Sequence, residues 1–203
     1  LEHSKAKDKD DFENTRHSFI DWVVYKLLGG GIGPQDLNAD TKSITVIKNS
    51  RFSSGSFWSD DSIEVLSPSK VLREAENIKG NWNNLSYVLR FNHGGRTIIL
   101  AGDAEKEAWE SILGEVHEAK LSCDILKAAH HGRKSGYHEP AVDVMSPSVV
   151  VASVGKKPET DAHGEYKAKG ADVFSTRSKG TITATVWDDG EVWVDDSFGN
   201  RLK

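Results

Sequence analysis

The stretch RTIILAGD, residues 96–103, predicts a buried strand that delivers the carboxylate of Asp103 at its end. A second stretch, DILKAAHHG at residues 124–132, has the same form, with an apolar run followed by His130 and His131. Polar groups that follow neighbouring strands of an α/β sheet meet in one crevice at the sheet edge. Carboxylate and imidazole are ligands of zinc and related metals. The two stretches therefore predict part of a metal site in an α/β domain.

Asp103 has two interpretations that the sequence leaves open. The residues from Ala104 onward form a good helix start, so Asp103 is either the N-cap of that helix or a metal ligand. Adjacent histidines on an extended segment point to opposite faces, so one of His130 and His131 is expected to be the direct ligand. The other would orient it or contact the substrate, unless the pair belongs to a plain exposed loop. His163, which follows another apolar strand, is a further candidate ligand.

Composition restricts the class of protein. With 203 residues the chain is long enough for one domain with a substantial core. A net charge of −5 argues against a large basic surface for nucleic acid, although Lys127, Arg133 and Lys134 predict a local basic patch beside the histidine pair. The single Cys123 excludes an internal disulfide and is expected to be buried. No signal peptide or membrane-crossing run is found in the sequence, and a cytoplasmic location is expected.

The order of predicted elements favours a layered α/β sandwich. We expect residues 1–12 to be a charged arm or linker and residues 13–203 to be the domain. Helices are predicted at Phe19–Leu28, ended by Gly29–Gly31, and at Ala104–Val116. Strands are predicted at Ile44–Ile47, Ile63–Leu66, Leu85–Phe91, Thr97–Leu100, Val149–Ala152, Thr181–Trp187 and Glu191–Val194, the last two forming a hairpin.

Several short motifs together resemble those of metallo-β-lactamase-fold hydrolases, and above all the ComEC-like competence-protein branch. In chain order they are LSYVLRF at 85–91, IILAGD at 98–103, LKAAHHG at 126–132 with Ser135 after it, SVG at 153–155, and His163-Gly164. The resemblance spans Ile63 to Val194. It implies an αββα sandwich, a hydrolytic site with two zinc or manganese ions, and phosphodiester or related ester substrates, including nucleic-acid-like ones.

The resemblance also implies roles for individual residues. By position, Asp103 would be the carboxylate that bridges the two metals, and His130 or His131, with His163, would complete the ligands. Asp103 and His131 are the residues expected to take part in catalysis. The chain departs from the family in three respects. The motif His-x-His-x-Asp-His is absent, Arg133 stands where relatives usually have a small hydroxyl residue, and Gly164 stands where they have proline.

Two hypotheses account for the missing motif. The chain begins at Leu1 and its one methionine is Met145, so we expect the domain to be incomplete at its N-terminus. The remaining ligands would then come from an upstream segment or a partner chain, and this chain alone would bind metal weakly and hydrolyse phosphodiesters poorly. The alternative is a degenerate, non-catalytic interaction module on the same fold, with a partner surface built from tryptophans. These are Trp58, Trp82, Trp187 and Trp193.

Overall fold

A mixed six-stranded sheet organises this part of the protein. The computed structural model describes residues 62–156 and 159–203. The strands lie side by side in chain order, with the first three antiparallel and the third to sixth parallel. They are β1 (Ile63–Ser67), β2 (Val88–His93), β3 (Arg96–Leu100), β4 (Ile125–Lys127), β5 (Val149–Ala152) and β6 (Asp172–Ser175). The carboxyl ends of β3, β4 and β5 therefore share one edge of the sheet.

The described residues form five helices, and the first four in chain order contribute buried residues to one face of this sheet. They are α1 (Lys70–Lys79), α2 (Lys106–Glu115), α3 (Glu139–Met145), α4 (His163–Ala168) and α5 (Thr176–Lys179), with short 3-10 turns at Trp82–Leu85, Glu118–Lys120 and Ala129–Gly132. The sheet contributes Ile99, Leu126 and Val150 to this face, all at most 1% exposed. They join a cluster that includes Trp109 and Ile112 of α2. Alternation along the strands thus places every second side chain in the main core.

An antiparallel hairpin lies on the other face of the sheet. Its strands are β7 (Ile182–Val186) and β8 (Val192–Asp196), which among the described residues form a separate two-stranded sheet. Val194 of β8 packs against Ile125 and Val149 of the large sheet. Arg96 fixes the turn end of the hairpin, because its Nε donates to the carbonyl of Gly190 at 2.7 Å.

The predicted α/β class is confirmed, with several local differences. The strand predicted from Leu85 begins only at Val88, because Leu85 ends a 3-10 turn. The helix predicted over Ala104–Val116 is α2, which begins at Lys106. The helices α1, α3, α4 and α5 and the strand β6 are additions to the elements predicted from the sequence. No helix within the described ranges is long and apolar enough to cross a membrane.

Some predictions fall outside the described residues. The arm at 1–12, the helix at Phe19–Leu28 and the strand at Ile44–Ile47 are among them. The predicted boundary between residues 12 and 13 therefore stays a prediction.

Candidate functional site

Gly102 and Asp103 form a tight turn after β3. Gly102 has a φ of +54°, and a Cβ atom there would lie 2.8 Å from the Cβ of Ser86. The backbone of Asp103 donates to Ser86 Oγ at 3.1 Å. Close packing of the glycine against Ser86 thus fixes where the carboxylate of Asp103 projects.

Asn84, rather than Asp103, satisfies the start of α2. Its Oδ1 accepts from the backbone of Glu105 at 3.1 Å and of Ala108 at 3.2 Å. No side-chain cap is made at the N-cap position itself, which is Glu105. The N-cap interpretation of Asp103 is therefore wrong, because another residue already holds the amides that a cap would bind.

His130 and His131 lie in a turn and not on an extended segment, which corrects the sequence-based expectation. Their φ angles are +43° and +58°, and Gly132 follows at +80°. Three successive left-handed residues bend the chain sharply, and such backbone is costly for residues with a Cβ. The backbone of His130 donates to the Gly102 carbonyl at 3.1 Å, which ties this turn to the turn of Asp103.

His131 is the histidine that faces Asp103. Its Nε2 lies 3.6 Å from Oδ1 of Asp103, and both side chains are partly exposed. Its Nδ1 lies 2.7 Å from the carbonyl oxygen of Ser153. A carbonyl can only accept, so Nδ1 donates to Ser153, and Nε2 is the ring nitrogen that faces Asp103.

His130 is held by Glu105, a residue that the sequence analysis missed. The distance from His130 Nδ1 to Oε1 of Glu105 is 2.7 Å, and Ser135 Oγ lies 3.0 Å from the same nitrogen. Burial would raise the pKa of the Glu105 carboxyl, but hydrogen bonds from Asn81, Ser135, His130 and Asn83 lower it below its usual range. The carboxylate thus accepts from His130 Nδ1, as the Ser153 carbonyl accepts from Nδ1 of His131.

His163 lies against the same turn. It begins α4, and a Cβ on Gly132 would lie 3.2 Å from its Nε2 atom. This Nε2 is buried and has no hydrogen-bond partner within residues 62–156 and 159–203. Its Nδ1 lies 3.6 Å from Oδ1 of Asp161. A buried nitrogen without a partner is costly, so His163 has unused capacity to bind a ligand.

The predicted basic patch is not a single surface. Lys134 pairs with Glu165 at 2.8 Å on the outside of the domain. Lys127 instead projects from the other face of the sheet, where its Nζ donates to the Gly102 carbonyl at 2.8 Å. Burial lowers the pKa of Lys127, and the nearby charge of Asp103 opposes that shift. Gly102 thereby accepts from both Lys127 and His130.

The donor chemistry fits zinc or manganese, but the described residues do not complete a metal site. Two ligand bonds of about 2.1 Å at a tetrahedral angle separate their donor atoms by roughly 3.4 Å, close to the 3.6 Å between His131 and Asp103. The same distance also suits an ion pair between Asp103 and a protonated His131. No group of three His, Cys, Asp or Glu side chains placed to hold a metal occurs within the described ranges.

Three curated proteins show how this chain relates to known ones, while no protein-family model matches it. ComE operon protein 3 of Bacillus subtilis is 36% identical over 74 residues, which is 36% of this chain and 9% of that protein. Competence protein ComA of Neisseria gonorrhoeae is 28% identical over 130 residues, or 62% of this chain and 18% of its own length.

Recombination protein 2 of Haemophilus influenzae is 28% identical over 102 residues, or 49% of this chain and 11% of that protein. The chain therefore matches less than a fifth of the length of each relative. The matches link this chain to competence proteins at low identity.

Proposed function

We propose that this chain carries part of a metal-dependent hydrolase site on a metallo-β-lactamase-like αββα sandwich, acting on phosphodiester bonds of nucleic acid. The relatives named for competence and recombination support a role connected with DNA. Asp103 and His131 would be two of the metal ligands, and a separate polypeptide would supply others. This proposal assigns zinc or manganese, two ions in the complete site, as the cofactor.

The observation that carries the proposal is the way the histidines are held. Histidines that bind metal through one nitrogen usually donate the other N–H to a carboxylate or a backbone carbonyl. His131 does so to Ser153 and His130 to Glu105. The orphaned Nε2 of His163 lies on the same turn. Three imidazole rings therefore gather at the turn after β4, and none of the hydrogen bonds described above uses their Nε2 atoms. A turn with a purely structural role would not need this arrangement.

The residues divide into two roles. Asp103 and His131 would bind the metal. Glu105 would fix the tautomer and orientation of the His130 ring, and the Ser153 carbonyl would do the same for the His131 ring. His130 would stand beside the substrate, held by Glu105 and Ser135. A bound divalent metal would supply Lewis-acid activation of water and ester.

The test is zinc binding by calorimetry and elemental analysis on the full 203-residue chain. Asp103→Asn should weaken zinc binding at least about tenfold, because the amide is a poor ligand. A matched control exists in His93 and Asp188, a surface pair whose Nε2–Oδ1 distance is 3.1 Å. Asp188→Asn should leave zinc binding within about twofold of the wild type. Equal losses in both variants, or unchanged binding in Asp103→Asn, would refute the proposal.

Hydrolysis is tested with and without a polypeptide that carries His-x-His-x-Asp-His. We expect weak cleavage of bis(p-nitrophenyl) phosphate and single-stranded DNA by the chain alone, and a rise in both metal content and cleavage on addition. Asp103→Ala should abolish the rise. Cleavage by the chain alone at the rate seen with the added segment would show that ligands within this chain suffice.

A second candidate function has its own supporting observation. The lack of a three-ligand group in the described residues also fits a non-catalytic interaction module. Trp187, which is 47% exposed, stacks edge-on against Trp193 at 5.5 Å, and Arg201 lies 3.9 Å over the Trp193 ring. Such an aromatic surface suits a partner. No zinc binding under any condition would favour this function.

A further inference from the structure

A single peptide unit just past the end of β5 lies between His131 and Thr176. Its carbonyl, from Ser153, accepts from Nδ1 of His131 at 2.7 Å. Its N–H, from Val154, donates to Oγ1 of Thr176 at 2.8 Å. Because a trans peptide unit is planar, its C=O and N–H point in opposite directions within one plane. The hydroxyl on one side therefore helps to fix the direction of the carbonyl on the other side.

The hydroxyl of Thr176 holds Val154 by two groups. Besides accepting from the Val154 N–H, it donates to the Val154 carbonyl at 3.1 Å. A threonine hydroxyl has one hydrogen to donate and lone pairs to accept with, so these two bonds use it in both ways. Two bonds to one residue resist rotation of the peptide unit 153–154 more than a single bond would. The Ser153 carbonyl is thereby kept pointing at His131.

Thr176 is itself held at both ends of α5. It follows Ser175, the last residue of β6, which pairs with Ala152 of β5. At the other end of α5, the carbonyl of Lys179 accepts from the backbone N–H of Ser197 at 3.2 Å. The short helix is thus tied to the large sheet where it begins and to the segment after β8 where it ends. It presents the Thr176 hydroxyl from a fixed position.

Asp103 gives this arrangement a consequence for the candidate site. Nε2 of His131 lies 3.6 Å from Oδ1 of Asp103, so the carboxylate is a competing acceptor for the proton of a neutral ring. If the Ser153 carbonyl turned away, that proton would be free to move to Nε2 and to hydrogen-bond with Asp103. Imidazole binds a metal only through an unprotonated nitrogen. Such a hydrogen bond would therefore occupy both candidate ligands at once.

We propose that Thr176 is a positioning residue of the candidate metal site. It acts through the peptide unit 153–154, which keeps the proton of the neutral His131 ring on Nδ1 and leaves Nε2 open toward the metal position. The SVG motif at 153–155 thus contributes backbone groups to the site. The metal part of this inference rests on the proposed function, whereas the hold on the ring does not.

The first test is the state of the His131 ring without metal. The full 203-residue chain, labelled with 15N in its histidines, is studied by NMR in a chelator at a pH of about 9, where the ring is neutral. His131→Gln identifies the signals of this ring. Thr176→Val keeps the side-chain shape without the hydroxyl and should raise the fraction of rings protonated at Nε2 at least about threefold. An unchanged ring would overturn the proposal.

Control variants separate positioning from a general loss of stability. Thr176→Ala, which removes the hydroxyl in a smaller side chain, should give the same shift as Thr176→Val. Thr176→Ser keeps the hydroxyl and should keep the wild-type ring. Thr97→Val removes a hydroxyl that donates to Asn92 at 2.9 Å, near the amino end of β3, and should leave the ring unchanged. A shift in Thr97→Val as large as in Thr176→Val would contradict the assignment of Thr176.

Zinc binding then connects the ring state to the proposed function. Thr176→Val should weaken zinc binding about tenfold, and Thr176→Ser should stay within about twofold of the wild type. A ring shift in Thr176→Val while no variant binds zinc would support the positioning role and remove the metal function. Zinc binding that falls in Asp103→Asn but not in Thr176→Val would do the reverse. Circular dichroism on each variant confirms that the fold is kept.

Discussion

The two faces of the six-stranded sheet differ sharply, although they share the same strands. Ile99 is fully buried under the helices, while Leu100, the next residue of β3, is 40% exposed on the other face. We call these the helix face and the groove face. Among the described residues, the helix face has a closed apolar layer, whereas the groove face is covered in part by one hairpin, which leaves an apolar groove of about 570 Å³ beside Leu100. Alternation along the strands gives both faces of the sheet apolar side chains. The described residues fully cover these side chains on the helix face only.

Thiol labelling should give the largest contrast between the faces. Burial on the helix face raises the pKa of Cys123 to about 12, from an ordinary value of 9.0. The reactive thiolate at pH 8 is then roughly a thousandfold scarcer than for an ordinary thiol. A cysteine introduced as Leu100→Cys on the groove face should react with iodoacetamide about a thousandfold faster than Cys123, measured by mass spectrometry. Equal rates would show that the two faces are equally accessible.

Truncation of neighbouring side chains should give the next largest contrast. Ile99→Ala removes buried methyl groups from the helix face and should lower the free energy of unfolding by about 2–5 kcal/mol. Leu100→Ala on the groove face should lower it by under about 1 kcal/mol. Urea unfolding monitored by tryptophan fluorescence measures both values. A loss at Leu100 that equals the loss at Ile99 would mean that the groove is closed in solution.

Glycine substitutions should give the smallest contrast, at the edge where the faces meet. Gly102→Ala places a Cβ against Ser86 at a positive φ and should cost about 1–3 kcal/mol of unfolding free energy. Gly114→Ala in α2 meets nothing within 4 Å and should instead stabilise by about 0.5–1 kcal/mol. Thermal unfolding of the two variants tests this. A neutral Gly102→Ala would show that the turn can relax.

The sheet could be predicted from sequence where a strand carries its own pattern. The runs that became β3 and β5 are long and apolar, and their positions were predicted to within one residue. Leu85 was assigned to a strand because its apolar side chain fits one, yet Asn83 and Asn84 before it favour a turn. Short helices such as α4 depend on tertiary packing, which a local pattern does not contain.

The site was predictable in residue type and in proximity, but not in detail. Strand ends brought Asp103 and His131 together, as their positions after β3 and β4 predict. The partnership of His130 with Glu105 depends on the left-handed turn, and no rule of strand alternation gives that geometry. The sequence did contain a signal for Glu105. An acidic residue follows Asp103 by two positions, and Asn81 and Asn83, which precede β2, are side chains that can donate to it.

The carbonyl of Gly102 connects the two faces of the sheet at the turn that presents Asp103. It accepts from His130 at the candidate metal site and from Lys127 at the groove, so both of its lone pairs are in use. Lys127→Met would remove one of these two hydrogen bonds and leave the other, so it would change the environment of the turn that presents Asp103 without touching the candidate site itself. One peptide oxygen thus connects a side chain of the groove face with the backbone of the histidine turn.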